Sequence, residues 1–169
     1  MKKSEIIILA VAAIVLVGAI VSIGLISRGG SNSNGFSQEV KQSINTTQEW
    51  VSFISSNSNV KVIDDGFLSI PKEKAVDIAL DLTKTISQYA LMDSYLLDEK
   101  MKNECKAQLY IINGILLHED LFTKTQINRI ENMDKVQAVY SIEAANNALG
   151  KDKVTLLTGE YAHFIRDGK

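Results

Sequence analysis

The sequence predicts a mainly α-helical protein, in which one N-terminal transmembrane helix is followed by a soluble, helical-bundle-like domain of about five helices. Residues 6–26 form one uninterrupted apolar run. Apolar residues then recur at helical spacing through most of residues 36–169, and no Gly or Pro occurs between Lys72 and Asn113. A small β-hairpin near residues 60–70 is the one expected exception.

The apolar run has the length of a membrane span. Its 21 residues contain no charge and no Pro, and a helix of them is roughly 31 Å long, close to the roughly 30 Å of a hydrocarbon core. A buried strand would be far shorter. We therefore predict a transmembrane helix embedded in the lipid bilayer. Gly18 and Ser22 form a small-xxx-small pair that lets two such helices approach closely, whereas simple anchoring needs no such contact.

Positive charge at the two ends of the run indicates its orientation. Residues 1–5 form a short basic tail with Lys2 and Lys3, whereas Arg28 is the only basic residue of the linker at residues 27–35. Lys and Arg beside a transmembrane helix favour the cytoplasmic side. We therefore predict a cytoplasmic N terminus and an extracytoplasmic domain, which the flexible Gly/Ser/Asn linker joins to the anchor.

The apolar run is either cleaved off as a secretory signal or retained. A cleaved signal has an apolar region of about 7–15 residues and then an A-x-A-like site, whereas this run is longer and Ser27-Arg28-Gly29-Gly30 follows it. No Cys follows the run either, which excludes a lipoprotein signal. An uncut signal anchor is therefore favoured.

Lys2-Lys3-Ser4, directly before a long apolar helix, resembles the short basic leader of type IV pilin-like proteins. The resemblance covers about the first 26 residues, and Ser4 stands where the family usually has Gly. It implies cleavage after Ser4 and a filament subunit whose apolar helix packs in the filament core. Such a subunit has a continuous helix from membrane to domain, and the three glycines of the linker argue against that geometry.

Residues 36–169 are long enough for one domain with a real core. They carry 15 basic and 19 acidic residues, so their net charge is −4. Nucleic acid and anionic lipid surfaces both prefer a basic face, and the sequence shows no basic patch. We therefore expect no nucleic-acid partner.

A helix and then a hairpin are predicted at the start of this domain. The helix covers Phe36–Ser56, where one face carries Val40, Ile44, Thr47, Val51 and Ile54. Two short apolar runs then flank Asp64-Asp65-Gly66, which is typical of a hairpin turn. The two aspartates lack the ligand pattern of an EF-hand, so a turn is predicted here rather than a calcium site.

Two further helices are expected between Pro71 and His118. Pro71 is the only proline and marks a helix start at Lys72. The pattern allows either one long helix or a break near Met92-Asp93-Ser94, and the break is favoured because Asp and Ser are good caps. Gly114 lies inside the second apolar run, where it allows a close helix crossing or marks a bend.

The remaining residues predict one helix over Thr123–Leu149, with a kink or short joint near Asn132-Met133-Asp134. Gly150 ends it. A final helix covers Lys151–Ile165, and its inward face includes Tyr161.

No catalytic, metal-binding or cofactor-binding residue can be assigned from the sequence. His118-Glu119-Asp120 is predicted to be a solvated helix end, because consecutive helical residues point about 100° apart and do not converge. Glu160 and His163 form a single i, i+3 pair without the second copy that a di-iron bundle needs. Cys105, the only cysteine, is predicted to be a small buried hydrophobe. Asn45-Thr46-Thr47 matches the N-glycosylation sequon, so Asn45 is a candidate acceptor.

Three functions therefore stand as hypotheses, none of them enzymatic. The first is a membrane-anchored interaction or scaffold module of the cell envelope, whose partner is another membrane or envelope protein or a second copy of the chain. The second is the pilin-like filament subunit. The third is a membrane-tethered sensor domain that binds a small ligand between helices. No cofactor is expected for any of them.

Overall fold

A computed structural model describes residues 43–167, which contain seven α-helices and no β-strand, so the mainly α class is confirmed. The helices are α1 (Thr47–Ser56), α2 (Val60–Ser69), α3 (Lys72–Ser87), α4 (Glu99–Leu117), α5 (Lys124–Glu131), α6 (Lys135–Leu149) and α7 (Lys151–Asp167). The predicted anchor, residues 6–26, and the linker, residues 27–35, lie outside the described range. Among the helices of residues 43–167, none is both long enough and apolar enough to span a bilayer.

The first described helix begins later than the sequence pattern suggests. Thr46 is its N-cap and accepts a hydrogen bond from the backbone N–H of Glu49, while the Glu49 carboxylate accepts one from the backbone N–H of Thr46. This reciprocal capping box satisfies two otherwise unpaired donors and fixes the helix start at Thr47. Residues 43–46 are not helical, so the prediction of one helix over Phe36–Ser56 is wrong at that point.

The predicted hairpin near residues 60–70 is also wrong, because this segment is helix α2. The side chain of Asn59 caps the helix by accepting from the backbone N–H of Val62. Asp64-Asp65-Gly66 lies in the middle of the helix instead of forming a turn. Position 66 has no room for a side chain, since a Cβ there would overlap the ring of Phe53 in α1. Packing against a neighbouring helix outweighs the local preference of Asp-Gly for a turn.

The break between the two predicted middle helices is confirmed. Helix α3 ends at Ser87, a short 3-10 turn covers Gln88–Leu91, and α4 begins only at Glu99. The cap differs from the prediction. Asp98, and not Asp93 or Ser94, caps α4, because its Oδ1 accepts a hydrogen bond from the backbone N–H of Met101. The joint predicted near Asn132-Met133-Asp134 is a complete break, so α5 and α6 are separate helices. Gly150 ends α6 with a φ of 84°, a conformation that favours glycine.

Helix α4 is the centre of the domain, and the other long helices surround it. It packs against α1, α2, α3, α6 and α7, and ten of its nineteen residues are buried. On one side, the indole of Trp50 is completely buried, and its Nε1–H donates to the backbone carbonyl of Ala107, at 2.8 Å. The second half of α4, residues 107–117, is covered on nearly all sides and is mostly apolar, whereas its first eight residues are mostly charged or polar.

Gly114 of α4 is a point of close approach between helices, which is one of the two alternatives that the sequence allows. A Cβ added there would lie 2.7 Å from the ring of Phe67, which is itself fully buried in α2. The Phe67 ring also stacks on the imidazole of His118, with 5.6 Å between their centroids. The lack of a side chain at Gly114 therefore lets the Phe67 ring lie against α4.

Gly114 and Gly159 offer a matched test of this crossing. Both lie inside long helices, but an added Cβ at Gly159 meets nothing within 4 Å. Gly159→Ala should stabilise the protein by up to about 1 kcal/mol through helix propensity. Gly114→Ala should destabilise it by about 1–3 kcal/mol, because the Phe67 ring has no room to move. Urea unfolding of the full chain measures the change in the free energy of unfolding for each variant. Equal changes in Gly114→Ala and Gly159→Ala would contradict the close contact at Gly114.

Candidate functional site

An apolar pocket of about 230 Å³ lies on the side of α4 that faces α5, α6 and α7. Its walls are almost entirely hydrocarbon. The side chains that define them come from four helices and include Leu109, Ile112, Leu116, Ile127, Ile130, Ala138, Ile142 and Ala162. Small residues on α6 and α7 face larger ones on α4, so the helices enclose space instead of closing on each other. A concave, mostly apolar pocket of this kind is the usual form of a small-molecule site.

Buried polar side chains are set into this apolar wall. The amide of Gln108 donates through Nε2 to Ser141 Oγ at 2.7 Å and to Thr83 Oγ1 at 3.3 Å, which ties α4 to α6 and α3. Asn113 donates through Nδ2 to the backbone carbonyl of Leu109, at 2.6 Å. All four polar side chains line the pocket. Each amide also has a carbonyl oxygen, so the wall contains acceptors as well as donors.

Thr158 of α7 is the polar side chain of the pocket that stands out. It is 4% exposed, and its Oγ1 has no hydrogen-bond partner among the described residues. A buried hydroxyl without a partner costs about 1–3 kcal/mol, and most buried polar groups in proteins are paired. The hydroxyl can rotate, so it is available to a polar atom that enters the pocket.

Charged residues surround the apolar interior where the pocket approaches the surface. Glu119 and Lys135 are exposed, and Glu131 is half-buried. Helix α5 forms this part of the wall through Ile127 and Ile130. The pocket therefore combines an apolar interior with a polar rim.

A separate buried polar network joins three helices on the side of α4 that faces α2. Asp64 Oδ1 lies 2.8 Å from Nε2 of His118, at the end of α4, and accepts a hydrogen bond of 2.8 Å from the Tyr161 hydroxyl of α7. All three side chains are buried. Burial, together with the adjacent Asp64 carboxylate, raises the pKa of the Tyr161 hydroxyl well above its usual value, so Tyr161 remains a donor.

This network corrects two predictions made from the sequence. The sequence predicts Asp64 in a hairpin turn, and His118 in a solvated helix end with Glu119 and Asp120. Glu119 and Asp120 are exposed as predicted, but His118 is only 5% exposed. The chain turns sharply after α4, so His118 points inward while its two neighbours face solvent. Tyr161 lies inward, as predicted.

The other residues singled out in the sequence do not come together in a reactive site. Cys105 is buried as predicted, and burial raises the pKa of its thiol to about 12, so the thiol is protonated at neutral pH. His163 is exposed, and its Nε2 lies 3.1 Å from Oδ2 of Asp167. Within residues 43–167, no group of three or more His, Cys, Asp or Glu side chains has the arrangement of a metal site.

Asn45, the candidate glycosylation acceptor, is exposed just before α1, and its Nδ2 donates to Ser43. Its modification stays a prediction. Gly18 and Ser22, the candidate helix-packing pair, lie outside the described residues.

The connection between α3 and α4 exposes large apolar side chains. Leu91 is 87% exposed, Tyr95 80% and Leu96 51%. They occupy a short stretch between two helices, and none of the three lines the pocket. This exposed segment is a feature that the periodicity of the flanking helices did not reveal.

Comparison of the chain with protein-family models, with curated proteins and with solved structures gives no significant match.

The buried network predicts a large effect of Asp64 and a small effect of its neighbour. Asp64→Asn replaces an acceptor of two buried groups with an amide and should lower the free energy of unfolding by about 2 kcal/mol. Asp65 is exposed, and within residues 43–167 it pairs only with Lys61 at the surface, so Asp65→Asn should leave stability unchanged within error. Chemical denaturation of both variants measures the difference. A similar stability for the two variants would rule out Asp64 as a structural node.

Proposed function

We propose that this protein is a membrane-anchored binding protein whose helical domain holds a small, mostly apolar ligand in the pocket beside α4. The pocket is the observation that carries the proposal. It is bounded by helices that are otherwise well packed, and its polar groups are few and fixed in position. This function corresponds to the sensor domain considered from the sequence.

The volume of the pocket limits the size of the ligand. An apolar cavity of about 150 Å³ holds one benzene molecule. By that scale, a pocket of about 230 Å³ accommodates roughly ten non-hydrogen atoms, and its opening at the rim leaves room for a molecule slightly larger than this. The ligand is therefore a compact aromatic molecule or a medium-length aliphatic chain. A polar atom able to accept from Thr158 would pair the hydroxyl that lacks a partner.

The apolar lining of the pocket supports an apolar occupant. The pocket reaches the surface at its charged rim, so solvent can enter it, but its apolar side chains offer water few hydrogen bonds. An apolar ligand would displace this water and gain roughly 25 cal/mol for each Å² of apolar surface that it buries. Such a ligand would stabilise the folded domain, because it binds the folded state alone.

The predicted anchor gives this binding a context. Apolar molecules concentrate in lipid bilayers, and an anchor at residues 6–26 followed by a short linker would keep the pocket near that source. The interaction or scaffold role and the pilin-like role stay predictions. A scaffold role would use a different surface, of which the exposed segment with Leu91, Tyr95 and Leu96 is an example.

The binding proposal is tested with 1-aminonaphthalene, a small probe whose emission increases and shifts to shorter wavelength in apolar surroundings. The full chain, purified in a mild detergent, should bind one probe molecule. Ala162→Phe fills the pocket and should reduce binding at least about tenfold, because the probe and the new ring compete for the same volume. Leu156→Phe is the matched control, since Leu156 lies on the same helix but is exposed and does not line the pocket.

Thr158→Val provides a second variant that preserves shape. Removing the unpaired hydroxyl should raise the free energy of unfolding of the empty protein by about 1 kcal/mol and still allow probe binding. Binding that is the same in wild type, Ala162→Phe and Leu156→Phe would show that the probe associates with the detergent or the surface, and it would contradict the pocket as the site.

A further inference from the structure

We propose that helix α5 is a lid that narrows the opening of the pocket, that ion pairs from Arg129 hold it against α3, and that the ligand enters and leaves when this latch opens. The inference rests on the proposed function, because a lid has a purpose only if the pocket is occupied. It concerns the rate of binding and not the chemistry of the site.

Helix α5 has the connections expected of a movable element. It is eight residues long, and among the described helices it packs mainly on α3. Phe122 and Thr123 precede it, and Asn132, Met133 and Asp134 separate it from α6. Thr123 and Gln126 form a capping box that satisfies its first turn internally. The helix can therefore move as a unit without losing its own capping hydrogen bonds.

The two sides of α5 have different chemistry. Ile127, Ile130 and Glu131 line the pocket, so the helix closes the apolar space from one side. Arg129 and Gln126 instead reach across to α3. Movement of α5 away from α3 would expose the pocket and leave the other walls, α4, α6 and α7, in place.

The contacts to α3 form a polar latch. The guanidinium of Arg129 donates through Nη2 to Asp77 Oδ1 at 2.8 Å and through Nη1 to a carboxylate oxygen of Glu73. Gln126 Nε2 donates to the other carboxylate oxygen of Glu73, at 3.1 Å. One arginine thus bridges two acids that are one helical turn apart on α3.

This latch is weaker than the contacts that hold the other walls. The Arg129 side chain is 37% exposed, and those of Glu73 and Asp77 are 58% and 44% exposed. Exposed ion pairs contribute little to stability and are screened by salt. By contrast, α7 is joined to α2 by the buried hydrogen bond between Tyr161 and Asp64, and α6 is joined to α4 by the buried pair of Gln108 and Ser141. Helix α5 is also held by the buried side chain of Ile130. Its hydrogen bonds to α3 are nevertheless the exposed ones among those described here between the walls of the pocket, so we expect the α5 side to open first.

Stopped-flow binding of 1-aminonaphthalene to the full chain tests the lid. Arg129→Gln should raise both the association and the dissociation rate roughly two- to fivefold, because losing an exposed ion pair increases the fraction of molecules with the latch open by about that factor. The dissociation constant should change less than about twofold, since the latch is the same with and without ligand. High salt should accelerate binding to wild type but not to Arg129→Gln. Arg166→Gln is the matched control, because Arg166 pairs only with Asp167 in the described chain.

Hydrogen exchange without ligand gives an independent measure of the latch. Amides of α5 should exchange faster in Arg129→Gln than in wild type, whereas those of α4 and α7 should not change. If wild type binds the probe and Arg129→Gln binds it at the same rates, the lid proposal is overturned and the proposed function stays intact. If wild type binds no probe, the proposed function fails and the ligand lid falls with it. Unchanged exchange in α5 would overturn the latch in either case.

Discussion

The carboxylate of Asp64 is the constraint on which the arrangement of helices depends. It lies in the middle of α2 and is shared by the end of α4, through His118, and by α7, through Tyr161. A buried carboxylate is costly unless hydrogen bonds compensate for lost hydration, so these three elements have to meet at one geometry. Apolar packing alone would tolerate many small shifts between the same helices. The buried acid selects one of them.

That fixed geometry accounts for the pocket on the other side of α4. Toward α1 and α2, the central helix meets large rings, such as Trp50 and Phe67, which fill the interface. Toward α6 and α7 the packing is mixed. The ring of Tyr110 meets that of Tyr161, with 5.6 Å between their centroids, whereas the small residues Ala138 and Ala162 leave the space of the pocket. Since α7 is held at Tyr161, it cannot collapse onto α4 to fill the remaining volume. The domain therefore has a packed half that maintains the fold and an underfilled half that provides space for a ligand.

The sequence predicted the helices better than their buried polar groups. Apolar periodicity, Pro71 and Gly150 located the later helices because each acts locally on the backbone. The Asp-Gly pair led to the wrong prediction of a turn at residues 64–66, because the close packing of Gly66 against Phe53 is a tertiary contact that the local sequence does not show. Had α2 been identified, Asp64 would have fallen on the same face as Ile63 and Phe67, a signal of burial. The pocket could not be predicted, because it depends on the sizes of side chains facing one another across helices distant in sequence.

The central claim is that the side of α4 facing α6 and α7 encloses an apolar space that a small molecule can enter. The most direct measurement is crystallography of the full chain under xenon pressure, because xenon binds to apolar cavities without needing a polar partner. The account predicts a xenon atom between Ile112, Ile130 and Ile142, with α4 and α7 unmoved. An interior without xenon, in which side chains of α6 and α7 close onto α4, would contradict it.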